Sequence, residues 1–332
     1  LTATDPLGNT YQRTYDSAGN IISVKDPLNH TTTFTYDELD NLLRTIDPLG
    51  NYSQYTYDDV GNRTTETDPN GNTITYTYDS LRLLTSVTNP LGKVTSYTYD
   101  NARNLKTVTD PKGYVTTFNY NSCNQLSSVV DPLGNTTYYE FDETSNLKKH
   151  TDPPLSPTSY TYDSMNRLLT LTDPVQSSIL YSYNDVGMIN KRIDPQGRET
   201  NYTYDALNRL KEVLYPDQSS VSFNYDQMSN LTKMTDLIGD TTFNYDDLDR
   251  LTSLTDPSLF NVTFSYDQAS RLTSRVTPSG TTSYTYDDSD RLTNVNLPGN
   301  LNTSYIYDNG GRITRVNYPN QTTYTTSVSY TH

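Results

Sequence analysis

The chain has 332 residues, a formal net charge of −15, and 33% apolar residues that include 31 Tyr and no Trp. This acidic balance excludes the basic face that nucleic-acid phosphates or anionic membranes require, and no stretch approaches the ~18 apolar residues of a membrane-spanning helix. The single cysteine, Cys123, excludes an internal disulfide. From the N-terminus, the first turn is Asp5-Pro6-Leu7-Gly8, repeated at Asp47-Pro48-Leu49-Gly50 and Asp131-Pro132-Leu133-Gly134. Asp at the first position, Pro at the second and Gly at the fourth are type I β-turn preferences. The strand that follows alternates Thr with apolar or aromatic residues, as in Ile74, Tyr76 and Tyr78, and ends on a Tyr-Asp pair. That pair falls at Tyr15, Tyr36, Tyr57, Tyr78 and Tyr99, continues through Tyr162 and Tyr204 to Tyr225 at a spacing of 21, and then spaces at 20 or 21 to Tyr307.

A polar segment after each Tyr-Asp, such as Asp163–Arg167, predicts a second turn in which Asp caps backbone amides. A shorter strand follows, such as Leu105–Thr109. Its first position is Leu or Ile in fourteen of fifteen units, with Arg63 the exception. Its fourth position is often apolar (Val24, Val87, Val129), three residues on, which strict alternation places on the opposite face. A bulge or a two-sided strand would each resolve this. On the longer strand the residue before Asp is aromatic in all fifteen units, with Phe141 the one non-Tyr. The residue two earlier is aromatic in all but one, where Arg13 stands. Cross-strand stacking would make these two aromatic rows on one face.

A low apolar content alone leans toward disorder, but disordered chains do not place Tyr at a fixed period. The expected fold is all-β: antiparallel hairpins of about 21 residues in a single continuous array over 1–332, about fifteen units, with no helix. Open sheets rarely exceed ~10 strands without curling, so about thirty strands should coil as a spiral strip into a hollow tube or shell, its turns meeting through the Asp-Pro and Tyr-Asp corners. The array opens at Leu1 and closes at Tyr330-Thr331-His332 in mid-phrase, as expected of a piece truncated from a longer polypeptide.

Tyr-Asp repeats joined by Asp-Pro-Leu-Gly-Asn and Arg-Leu elements resemble the YD repeats of Rhs proteins, of insecticidal toxin-complex shells and of teneurins, over essentially the whole chain. The resemblance implies a strip of hairpins spiralling into a hollow shell. In toxin members that shell encloses a C-terminal effector released by self-cleavage; in teneurins it is an extracellular adhesion scaffold. The terminal core segment and effector of the toxin pattern are not found between residues 1 and 332.

Candidate chemistry is sparse. Nothing in the spacing of His30, His150 and His332 points to a triad, which must be assembled in space, and they read as ordinary repeat variation. The paired acids Asp58-Asp59, Asp246-Asp247 and Asp287-Asp288 each begin a turn, where Asp serves local hydrogen bonding before calcium or acid–base work. No catalytic, cofactor or metal residue is assigned. Nine sequons, at Asn29, Asn51, Asn62, Asn135, Asn201, Asn230, Asn261, Asn302 and Asn320, are acceptors if the source glycosylates them. The sequence reading favours a non-enzymatic extracellular or cell-surface wall that extends by head-to-tail continuation into a tube or filament. The alternatives are a shell fragment around an encapsulated polypeptide and an adhesive or glycan-binding module. For the last, the irregular Thr151–Pro157 segment is the best candidate.

Overall fold

Alternating Thr and aromatic side chains give a strand one hydroxylated and one aromatic side. The computed structural model describes residues 1–320 and 322–325, so the C-terminal junction at Tyr330–His332 lies outside the described residues. Among the described residues are 32 antiparallel strands of one sheet and no helix. Each sequence unit is a hairpin. The long strand Val94–Tyr99 pairs with the short strand Leu105–Thr109, which pairs in turn with the long strand Val115–Tyr120. The chain forms two compact units, one from 1–93 with the described residues from 241 onward, the other from 94–240.

The three-residue spacing on the short strand is a bulge. Thr98 pairs with Thr107, but Tyr99 pairs with Leu105, so Lys106 is the extra residue. The same shift precedes the Tyr-Asp position in all fifteen units, from Thr14/Tyr15 to Ile306/Tyr307. One inserted residue reverses the alternation, placing Leu105 and Val108 on the face that carries Tyr97 and Tyr99.

A bulge also disrupts the ladder locally. The tyrosine of the next unit repairs it: the Tyr36 hydroxyl donates to the Ile21 carbonyl at 3.0 Å, Tyr57 to Leu42 at 2.9 Å, Tyr162 to Leu147 at 2.9 Å and Tyr204 to Ile189 at 2.8 Å. Burial pushes the Tyr57, Tyr162 and Tyr204 phenols up from their ordinary pKa, so they stay donors. The aromatic residues therefore share a face, but ring stacking does not organise it. Tyr97 faces Val108 across the ladder, and the next aromatic strand is two strand spacings, about 10 Å, away. A stacked pair, Tyr139 with His150 at 5.6 Å, occurs where His replaces the usual aliphatic residue.

The two turns read as different share one geometry. In both, the first residue's N–H donates to the carbonyl four residues on, and the fourth residue's N–H donates back to the first carbonyl, as at Asp5–Asn9 and Asp16–Asn20. The Asp carboxylate fills the loop. Asp58 Oδ1 accepts the amides of Val60 and Asn62 while Oδ2 accepts Asn62 Nδ2 at 2.8 Å. The fourth residue has positive φ, 84° at Gly50, and Asn, Asp, Arg or Ser adopt it elsewhere. A one-sheet wall has little interior. Val213 and Val316 are its buried hydrophobic residues, and no side chain is fully buried among the described residues.

Phe141 has no hydroxyl to offer Leu126, one unit earlier. Phe141→Tyr should raise stability by about 1 kcal/mol and Tyr162→Phe should lower it by a similar amount, read as shifts in urea midpoint at unchanged slope. An unchanged midpoint in both would refute the hydroxyl's role.

Acid should loosen the turns. Backbone and side-chain hydrogen bonds from Arg167 and Arg209 hold the Asp163 and Asp205 carboxyls below their ordinary range. A lowered native pKa contributes stability that is present above the unfolded value of about 4 and is lost as pH falls through the native value. Stability should therefore decline below about pH 4, and less so in Asp205→Asn, which keeps the turn's shape without titrating. Equal acid slopes for both proteins in urea titrations would count against this.

Candidate functional site: the turn edges and their seam

Hairpins of alternating turns place every Asp-Pro turn on one edge of a run and every Tyr-Asp turn on the other. On the Tyr-Asp edge, the residue four after Asp reaches the neighbouring turn. Asn does so simply: Asn20 Nδ2 donates to Asp40 Oδ1 at 2.6 Å, and Asn146 to Asn166 at 2.9 Å. Arg makes three links. Arg209 donates Nε to Asp205 Oδ2 at 2.7 Å and Nη1 to the Asp226 carbonyl at 2.8 Å, and its guanidinium lies 4.6 Å from the Tyr225 ring centre. Arg250, Arg271 and Arg291 repeat the pattern over Tyr266, Tyr286 and Tyr307. The sequence displays this arginine as part of the Arg-Leu element, but its reach across units is a three-dimensional fact.

Within the first unit, the Asp-Pro edge of the 1–93 run meets the Tyr-Asp edge of the run from 241. Ser289 Oγ donates to Asp47 Oδ2 at 3.1 Å across a separation of 242 residues. His30 Nε2 lies 3.4 Å from Asp288 Oδ1, and Arg312 Nη2 lies 3.8 Å from Asp68 Oδ2. Gly310 abuts the Asn70 side-chain amide so closely that a Cβ would collide with it. Burial raises the Asp5 carboxyl, but hydrogen bonds within its turn and the charge of Arg250 hold it lower on balance.

The edges are complementary in charge. The four Tyr-Asp turns of the later run carry Arg250, Arg271, Arg291 and Arg312, facing a row of turn aspartates, whereas the corresponding turns of the first run carry Asn20, Asn41, Asn62 and Leu83. A cleft of about 320 Å³ at this seam is lined by Asp26, His30, Asp47, Asp288, Ser289 and Asp290 among others.

The residues singled out in the sequence fall into two roles. Tyr36, Tyr57, Tyr78, Tyr99, Tyr162 and Tyr204 all end long strands and are half-buried. Asp5, Asp47 and Asp131 close the Asp-Pro turns through Asn9, Asn51 and Asn135, with Pro6, Pro48 and Pro132 second and Gly8, Gly50 and Gly134 at positive φ. Among the sequons, Asn51, Asn62, Asn135 and Asn230 already commit their side-chain amides to their own turn Asp. Asn29, Asn261, Asn302 and Asn320 are exposed, and Asn201 is half-buried. The irregular Thr151–Pro157 segment is an extended hairpin whose strands pair to Asp152 and Ser156, beside an open cleft of about 620 Å³ that includes Asp131, Thr137, Asp152 and Pro154. Cys123 is an exposed turn residue. His30, read as ordinary repeat variation, is the seam residue that sequence reasoning missed. Its signal is the substitution of His for the Asn that closes the Asp5, Asp47 and Asp68 turns of the same run.

Comparison with known proteins agrees with this geometry. Among solved structures, TcdB2-TccC3 without its hypervariable C-terminal region aligns with 92% of this chain at 14% identity and a TM-score of 0.77. A second TcdB2-TccC3 structure aligns at 13% and 0.58, and a Photorhabdus luminescens Tc holotoxin pore at 16% and 0.57, covering 94% and 93% of this chain. This chain spans about a fifth of the length of those chains (19%, 20% and 23%), and the likeness shows a shared fold. A search of curated proteins gives no match. The RHS Repeat model matches residues 1–29, 15–52, 183–220 and 204–241, and the Teneurin YD-shell model matches 54–198 and 255–331. With two thirds of its length matched and each unit a Tyr-Asp hairpin, the chain belongs to the Teneurin YD-shell family.

Proposed function

We propose that this chain is a section of a non-enzymatic shell wall, acting outside the cell or at its surface, whose partner is a polypeptide enclosed by the completed wall. The observation that carries this reading is the seam. Unlike edges meet through Asp47–Ser289, Asp68–Arg312 and Asn70–Gly310, so one run of repeats builds upon another. The side chains best suited to chemistry are engaged in holding the wall together: turn carboxylates by amides and arginines, phenols by bulge carbonyls. Similar solved structures described as a Tc holotoxin pore and as TcdB2-TccC3 without its hypervariable C-terminal region support a polypeptide as contents.

The same edges also support continuation by further repeats, from a longer parent chain or from a second copy. Leu49, in an Asp-Pro turn at the seam, is 41% exposed, whereas the equivalent Leu133 and Val175 of the second unit are 86% and 79% exposed. End-to-end filaments would use this row. Adhesion to glycans or cell-surface partners would instead use the Thr151–Pro157 hairpin.

Electron microscopy of the native, full-length polypeptide separates these readings. Closed shells with internal density are expected. Continuous filaments repeating with this chain would replace the cage by a polymer, and shells without contents that bind glycans would favour adhesion. The seam itself is testable by a double-mutant cycle. Gly310→Ala and Asn70→Ala should each cost about 1 kcal/mol, and the double variant clearly less than their sum, because both disturb one contact. Additive effects would show that the contact is not formed in solution.

A further inference from the structure

The His30 imidazole stands where the two runs of the first unit meet. Its Nδ1 is fully buried and makes no hydrogen bond, although Asp26 Oδ2 lies 3.1 Å away. Its Nε2 faces Asp288 Oδ1 at 3.4 Å. A neutral imidazole carries one N–H. If that proton is on Nε2, toward Asp288, the Nδ1 lone pair sits 3.1 Å from a carboxylate oxygen but off the line to it, a repulsive contact that a cation shared by the two would relieve. Asp290, from the same turn as Asp288, brings a carboxylate oxygen into the group. One donor atom each from Asp26, His30 and Asp290 lie within 4.8 Å of one another.

We propose that this cluster binds a divalent transition-metal ion of the Zn²⁺ type, with His30 Nδ1, Asp26 and Asp290 as its protein ligands. An ion about 2.0–2.2 Å from each donor matches the 3.1 Å separation of His30 Nδ1 and Asp26 Oδ2. The nitrogen donor favours Zn²⁺, Co²⁺ or Ni²⁺ over Ca²⁺ or Mg²⁺, which prefer oxygen alone. Asp288 on Nε2 then holds the ring and its tautomer, as a carboxylate behind a ligating histidine does. The charged groups facing the site are Asp26, Asp47, Asp288 and Asp290, opposed by Arg271, which holds Asp290 at 2.7 Å. The balance is negative, and the cleft leaves room for a water as fourth ligand. Two ligands come from the first run and one from the later run, so the ion clamps the seam and couples metal occupancy to the stability of the wall.

The test uses the full chain freed of metal by chelation, titrated with Zn²⁺ by calorimetry and with Co²⁺ by visible absorption, and melted with and without Zn²⁺. One ion per chain, a tetrahedral Co²⁺ spectrum and a raised melting midpoint are expected. His30→Gln and Asp290→Asn should each weaken binding at least about tenfold and abolish the rise in midpoint. His150→Gln should change neither, although His150 Nε2 also lies 3.0 Å from a carboxylate, that of Asp152. Circular dichroism of the metal-free variants confirms that they fold; if one does not, the other carries the test. No binding, binding that survives both seam variants, or stabilisation by acid alone with no effect of Zn²⁺ would each overturn the proposal, the last by showing that a proton occupies the gap.

Discussion

A single sheet has no second layer to bury its apolar face, and that constraint shapes the rest of this protein. Where sandwiches interleave two faces, this wall must gain its order from links between consecutive units, as solenoids do. The bulge makes that possible. It turns Leu and Val of the short strand onto the aromatic face, and the disruption it introduces into the ladder receives the next unit's tyrosine hydroxyl. The Tyr of Tyr-Asp thus serves the unit before it and the Asp serves its own turn, so the pair travels together through the sequence. Arg at the fourth position past Asp joins both roles, gripping its own Asp and covering the next Tyr.

The seam obeys a counting rule. One edge carries only Asp-Pro turns and the other only Tyr-Asp turns, so a run that returns in the same direction must present unlike edges. A separation of 242 residues is about eleven and a half 21-residue units, and the half unit is what sets an Asp-Pro turn against a Tyr-Asp turn. The shortening of some later repeats to 20 residues adjusts this registry without breaking any hairpin, because the shorter turns at Asp236–Gly239 and Thr277–Gly280 still close theirs.

Strand identity, turn chemistry and the shared aromatic face were legible in the sequence because they are local and repeated fifteen times. The three-residue gap between Leu105 and Val108 announced an irregularity, but spacing alone does not separate a bulge from a two-sided strand; the pairing of Tyr99 with Leu105 does. The common geometry of the two turns was hidden because Pro marks only one of them, while in the other the positive φ falls on Gly19 or Gly61 in some units and on residues such as Asn166 and Asn208 in others. Long-range partners were not legible at all. Every Asp-Pro turn resembles every other, so nothing in Asp47 or Asn70 names Ser289 or Gly310. His30 illustrates the same limit: its departure from the Asn of its neighbouring turns is visible in the sequence, but Asp288 and Asp290, which give it meaning, arrive from a run more than 250 residues later.

Charge decides how such runs come together. A chain with net charge −15 and an aspartate opening most turns should repel itself wherever two edges approach. Two devices oppose this. Each turn carboxylate is bound by its own loop amides, which disperse its charge before a second edge arrives. The run that lies against the first run's aspartates also carries arginine at the closing position of all four of its Tyr-Asp turns, where the first run has Asn20, Asn41, Asn62 and Leu83. Because exposed ion pairs contribute ~1 kcal/mol or less, the arginines act less as clamps than as a means of selecting which edge belongs beside which. The repeats are alike enough to fold by one rule, and these few substitutions give each run its place.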